Sequence, residues 1–345
     1  MILNTKENGW FVLYHLYSTS LNYDSQGIKD FHHDLKIAKR WGIKYVVIED
    51  YYRNFCWGEY TCPWNKETFK AIIELIHNEG LDFIPYTNPT EVATHSKIFK
   101  KYPQWMVRDR GGKTFTGFLS VFFPRYYREF DFQLKLICPA SNWKDCYLEQ
   151  CRELLDEYGA DGIYMDRVDH RIKCSAHPNF EEGIVKIVKR VKEVVKERNK
   201  RLIINDCGMF LDKTMRKVLR MADVILIELL PAGRLTHLLK FILYDWGDYL
   251  YKMRKILSPL MDFLNKGAYL TSPQLASSKA ILKRISKIRE VSSSPLLLFT
   301  HRATPQGLNL ISEVAEQEEG VSFCLFQPEK LKGKGEGIKR LSPLA

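Results

Sequence analysis

The 345-residue chain carries 52 Lys+Arg against 41 Asp+Glu, a net charge of +11, with 45% hydrophobic and 13% aromatic residues. That hydrophobic content suits a large buried core, and no apolar run approaches the roughly 20 residues that cross a bilayer, so a disordered chain and a membrane-spanning one are both excluded. The positive charge comes without a helix-turn-helix, zinc-finger or RNA-recognition signature, and no nucleic-acid partner is expected.

Along the chain, short apolar runs alternate with amphipathic helices. The first run, WFVLYHLY (Trp10 to Tyr17), has polar residues inside it and no small-residue cleavage pattern after it. It reads as a buried strand rather than a signal peptide, which points to a cytoplasmic protein. Strands are predicted at Phe11 to Leu16, Tyr45 to Glu49, Phe83 to Thr87, Gly162 to Asp166, Leu202 to Asn205, Val224 to Glu228, Ala268 to Thr271 and Leu296 to Thr300. The clearest helices are Ile28 to Trp41, Lys66 to Asn78, Trp143 to Tyr158, Glu181 to Asn199 and Ser277 to Val291.

In the fourth of these helices Ile184, Ile187, Val191 and Val194 recur at helical spacing, leaving the lysines on a solvated opposite face. About eight strand–helix units with near-continuous apolar strands imply a parallel sheet buried on both faces. The expectation is an α/β fold, a (β/α)8 TIM barrel over 1–318, with an insertion after strand three and a short C-terminal extension over 319–345. The insertion, Thr114 to Leu136, is rich in Phe, Tyr and Arg and is a candidate lid or substrate wall. The extension holds one strand-like run, Val321 to Phe326, and then the Lys/Gly-rich stretch Lys330 to Arg340. No GxGxxG or Walker sequence argues for a nucleotide fold.

Catalytic groups of such barrels stand at the C-terminal ends of strands. Four strands here end in carboxylates: VVIED (Glu49, Asp50), GIYMD (Asp166), LIIND (Asp206) and VILIE (Glu228). Hydrolysis of a glycosidic bond needs two carboxyl groups about the anomeric carbon, which strand ends of a barrel can supply.

Four passages resemble the melibiase-like clan of glycoside hydrolases, the family 36 α-galactosidases and their relatives. IEDYY (Ile48 to Tyr52) is similar to the clan's Asp-Asp-Gly-Trp after strand two. HNEGLDFIPYTNPTEV (His77 to Val92) is similar to its helix-Gly-Leu-Lys-Phe-Gly passage ending in Glu-Pro-Glu, and KKYPQWMVRDRGGK (Lys100 to Lys113) to its His-Pro-Asp-Trp segment. Cys138 to His170 resembles the passage that closes on Lys-Trp-Asp. The resemblance covers about the first two-thirds of the chain.

It implies a retaining glycosidase with Asp166 as nucleophile. Tyr164 stands where the clan often has a sugar-binding lysine, which puts galactose specificity in question, and Asn88, with Glu91 nearby, stands near the clan's strand-three glutamate. The acid/base falls nearest Glu228, with Asp206 as competitor. An Asp followed four residues later by His170 also resembles the strand-four signature of α-amylases.

Trp57, Trp64, Trp105, Tyr86 and Tyr164 are candidates to stack on sugar faces. His170 and His301, just past strands, are candidates to bond hydroxyls, and Glu49, Asp50 and Asn88 complete the expected carbohydrate site. The eight cysteines contain no CxxC pair and read as reduced thiols. No cluster shows metal-ligand spacing in the sequence, so neither a metal nor another cofactor is expected. Two other readings use the same fold: an enzyme acting on sugar phosphates or another anionic sugar, which the charge would suit, and a carbohydrate-binding barrel without catalysis.

Overall fold

The computed structural model describes residues 10–15, 25–40, 43–49, 51, 56–63, 65–115, 133–168, 172, 174–206, 211–228, 278–299, 313–314, 317–318 and 320–326. The strand predicted at Ala268 to Thr271, most of the 114–136 insertion and the stretch from Lys330 to Arg340 lie outside them.

Ten strands are described: β1 (Trp10–His15), β2 (Ile43–Glu49), β3 (Asp82–Thr87), β4 (Glu91–Ala93), β5 (Leu134–Leu136), β6 (Gly162–Met165), β7 (Arg201–Asn205), β8 (Val224–Glu228), β9 (Leu296–Phe299) and β10 (Val321–Phe326). The helices are α1 (Ser25–Arg40), α2 (Lys66–Asn78), α3 (Lys97–Lys101), α4 (Trp143–Asp156), α5 (Phe180–Glu197), α6 (Lys213–Leu219) and α7 (Ser278–Arg289). Eight strands pair in parallel in the order β1-β10-β9-β8-β7-β6-β3-β2, and β2 pairs back to β1, so the sheet curls into a closed ring. β4 and β5 form a separate antiparallel pair. The α/β class with a parallel sheet is as the sequence pattern predicts.

The C-terminal strand is a correction. Val321–Phe326 reads from the sequence as part of an extension beyond 318, but as β10 it pairs with both β9 and β1. A strand of apolar residues lined on both sides by strands needing ladder partners is drawn into the sheet, because an open edge leaves backbone groups unpaired.

The strands bury both faces. β3 is buried from Phe83 to Thr87, and β6 along its whole length. Such strands read as unbroken apolar runs because helices cover the outside of the ring. α5 supplies Ile184, Ile187, Val188, Val191, Val194 and Val195 to that packing, at spacings of three and four. Its basic face is solvated and paired: Lys186 meets Glu182 at 2.8 Å, and Lys192 meets Asp223. α5 also presses its Gly183 against the Pro139–Ala140 backbone, where an added Cβ would stand 2.5 Å from the Ala140 nitrogen.

α2 begins at Asn65, whose side chain accepts the Thr68 N–H, and ends at Gly80 in the left-handed region (φ 73°). Gly80 donates to the His77 carbonyl and Leu81 to that of Ile76, a glycine cap that turns the chain into β3. Among the described residues no helix is long and apolar enough to cross a membrane.

Candidate active site

The C-terminal end of β3 is built first. Three tyrosines hold it from behind: Tyr60 donates its hydroxyl to the Asn88 carbonyl at 2.7 Å, Tyr51 to the Tyr86 carbonyl at 3.4 Å, and Tyr147 of α4 meets the Thr87 hydroxyl at 2.6 Å. Since the Thr87 hydroxyl donates to the Tyr164 carbonyl at 2.8 Å, Tyr147 is the donor to Thr87. Burial pushes all three phenols well above the ordinary tyrosine range, so they remain donors. α4 delivers Tyr147 one turn beyond Trp143, whose indole N–H donates to the Pro89 carbonyl at 2.8 Å.

Asn88 is consumed in the turn that follows. Its amide oxygen accepts the Thr90 and Glu91 N–H groups, and its amide nitrogen donates to the Glu91 carboxylate at 2.9 Å. Asn88, Thr90 and Glu91 are all fully buried. The Asn88 side chain, expected from the sequence in the carbohydrate site, thus bonds the backbone two and three residues on and shapes the turn.

Against this frame stands Asp166, the residue after β6. Its N–H donates to the Thr87 carbonyl at 2.9 Å, and its carboxylate accepts two bonds, from the Tyr86 hydroxyl to Oδ2 at 2.6 Å and from Asn205 Nδ2 to Oδ1 at 2.8 Å. The side chain is partly exposed, while Tyr86 and Tyr164 are buried beside it with ring centroids 5.4 Å apart. Trp57 packs edge-on against Tyr86 at 5.7 Å. Arg167 follows in the left-handed region (φ 54°), and its carbonyl accepts the Thr90 hydroxyl at 2.8 Å. A non-glycine residue held there by a neighbouring turn is the kind of local strain that concentrates at functional sites.

Asp206 faces the other way. It is fully buried and receives both Nε (2.9 Å) and Nη2 of Arg284, on α7. The period of two explains the divergence: Asn205 turns toward Asp166, so the next residue points to the opposite face of the sheet. The helix that follows, α6, is capped by Asp212, which accepts the Met215 N–H at 2.7 Å.

Glu49 ends β2, buried, level with His15. Trp105 lies in a single 3-10 turn (Pro103–Trp105) and stacks on Tyr102 at 4.0 Å. Asp50, Trp64, His170 and His301 lie outside the described residues, and Glu228 is described only as the last residue of β8. The proposed lid is likewise undescribed except at its ends, where Phe115 and Leu136 join by a backbone bond and β5 pairs with β4.

The structure also gathers a group that the sequence reading did not single out. Cys138, Cys174 and His177 bring their donor atoms within 4.8 Å of one another. Cys138 donates its S–H to Cys174, which pulls the Cys174 thiol below its ordinary range and pushes Cys138 up. A search for CxxC misses this group; the signal present is Cys174 and His177 at a spacing of three, with the third member on a distant segment. Asn205, Thr87, Thr90, Tyr51, Tyr60 and Tyr147 were also not singled out, because nothing local marks a residue as the support of another.

A domain family described as of unknown function (DUF6259) matches residues 22–183, which include Asp166 and the Cys138–Cys174–His177 group but not Glu228. No curated protein matches the chain. Among solved structures the fold is similar to that of an α-galactosidase from Thermus thermophilus in complex with p-nitrophenyl α-D-galactopyranoside (14% identity, 98% of this chain, 61% of that one, TM-score 0.59). It is also similar to a noncanonic maltogenic α-amylase from Thermotoga neapolitana (11%, 94% and 68%, TM-score 0.57). A third is a family 36 α-galactosidase from Geobacillus stearothermophilus in complex with stachyose (13%, 99% and 42%, TM-score 0.56). The chain thus spans less than two-thirds of both galactosidases. At these identities the likeness is one of fold.

Proposed function

We propose that the protein is a glycoside hydrolase on a (β/α)8 barrel, acting on an α-linked or related glycoside by a retaining mechanism, with Asp166 as nucleophile and Glu228 as acid/base. The observation that carries this reading is Asp166 itself: a partly exposed carboxylate at the end of a parallel strand, oriented by one phenol and one amide. The Tyr86 and Asn205 bonds fix the carboxylate plane, as attack on an anomeric carbon requires.

Support for Glu228 comes from the strand register and from what Asp206 does instead. Asn205 is paired with Leu226, and position 228 lies two residues further along β8, on the same face as Leu226 by alternation. Asp206, bonded on both oxygens to Arg284, is engaged elsewhere. The residues 114–136 are read as an insertion after the third barrel strand that walls the mouth.

A panel of nitrophenyl glycosides tests the reading. Turnover of at least one α-glycoside is expected, with a loss of more than about 1000-fold in Asp166→Asn, or about 4 kcal/mol of transition-state stabilisation. In Glu228→Ala, azide should restore turnover and give a glycosyl azide of retained configuration. The net charge of +11 favours a second reading, an anionic sugar or sugar phosphate as substrate. Turnover confined to nitrophenyl phosphates would select it, and binding of sugars with no turnover on either panel would indicate a barrel that has lost catalysis.

A further inference from the structure

Cys138 follows β5, and Cys174 and His177 lie in the loop between β6 and α5. One segment places both parts. The Trp105 carbonyl accepts the Cys138 N–H at 2.8 Å, and three residues on the Arg108 carbonyl accepts the Ser175 N–H at 2.9 Å. The Ser175 hydroxyl is bonded to the same stretch, at the Asp109 carbonyl. Ser141 closes over Cys138 from the other side, donating its hydroxyl to the Cys138 carbonyl at 2.6 Å. The two cysteines are buried, and His177, half-buried, leads to the surface.

We propose that Cys138, Cys174 and His177 bind a single thiophilic divalent cation, of which zinc is the type. Tetrahedral zinc with Zn–S of about 2.3 Å and Zn–N of about 2.0–2.1 Å sets its sulfur-to-nitrogen edge at about 3.5–3.6 Å. Cys174 Sγ and His177 Nδ1 stand 3.6 Å apart. Two sulfurs and one imidazole nitrogen are the donor set that selects zinc over magnesium or calcium, which take oxygen. A disulfide would use two of the three groups and leave the imidazole idle, whereas a cation uses all three and leaves one position for water.

Both sulfurs ligate as thiolates, so binding releases to solvent whatever thiol protons they carry. The ion joins the end of β5 to the loop that leaves Asp166, two segments otherwise tied through residues 105–109. It is a clamp between these two segments, and its existence does not depend on the glycosidase reading.

The test uses the full chain, reduced, stripped with a chelator, reloaded with Zn2+ alone and desalted. A single zinc per chain is expected. Cys138→Ser and His177→Ala should each weaken zinc by more than about 100-fold, beyond what the loss of an outer partner costs. Cys62→Ser should retain it. His177→Ala removes a half-exposed loop side chain, so it stays informative if Cys138→Ser misfolds, with far-UV circular dichroism as the check on both. Co2+ in place of zinc should give a sulfur-to-cobalt charge-transfer band that shrinks in Cys138→Ser. The proposal is overturned if the reduced chain retains no zinc, if both variants hold it as tightly as the parent, or if Cys138 and Cys174 are joined in a disulfide whose reduction leaves no zinc site.

Discussion

The Tyr86 hydroxyl lies 2.6 Å from Oδ2 of Asp166 and donates to it, linking the end of β3 to the end of β6. A hydrogen bond to a charged group contributes about 1.5–3 kcal/mol. Tyr86→Phe keeps the ring that packs on Tyr164 and Trp57 and removes this bond. Steady-state kinetics on the best aryl glycoside should show kcat/KM lower by about 10- to 150-fold. A change under threefold would mean that the tyrosine is there for packing alone.

Asp206, fully buried, pairs with the partly buried Arg284 between the end of β7 and α7. Removing the carboxylate takes two charge-assisted hydrogen bonds from a partly buried guanidinium, at a cost of about 1.5–3 kcal/mol. Asp206→Ala should therefore unfold at markedly lower urea while keeping, at low temperature, turnover per folded molecule within a few-fold of the parent. The reverse result, parental stability with activity abolished, would give Asp206 the acid/base role.

At the opposite end of β6, Asp161 is partly buried and accepts from the Phe83 N–H at 2.9 Å, His77 Nε2 at 2.9 Å and Lys200 Nζ at 2.6 Å. Burial works to raise its pKa, but Lys200, the Phe83 N–H and His77 together outweigh it and hold the carboxyl below its ordinary value. A folded pKa below the unfolded one, about 3.9, contributes stability that is complete above the unfolded value and lost as pH falls through the folded one. Asp161→Asn should thus be less stable than the parent near neutral pH, with the gap in urea midpoint closing below about pH 4. A gap independent of pH would assign the loss to geometry rather than charge.

Gly183→Ala probes the contact between α5 and the Pro139–Ala140 backbone. The new Cβ would meet the Ala140 nitrogen at 2.5 Å and the Pro139 carbonyl carbon at 2.7 Å, neither of which is a flexible side-chain end. Overpacking of this kind costs about 1–3 kcal/mol. A thermal melt should show the loss; an unchanged midpoint would mean that the helix slides to accommodate the methyl.

The sequence by itself determined the α/β class, the positions of most strands and helices, and the carboxylate ending β6. All of these depend on period and punctuation within a dozen residues: apolar runs for β3 and β6, the three-and-four spacing of α5, the Gly80 cap. Tertiary structure alone decided which of two strand-end carboxylates stays partly exposed and which is buried. Asp166 and Asp206 have equivalent local signals, each closing an apolar strand. Only the partners distinguish them, Tyr86 and Asn205 for one and Arg284 for the other, and Arg284 lies on a helix far along the chain. The same holds for Val321–Phe326, whose place between β9 and β1 depends on two open strand edges that no local pattern records. It holds also for Cys138, which meets Cys174 and His177 only because the Trp105 and Arg108 carbonyls draw their two segments together.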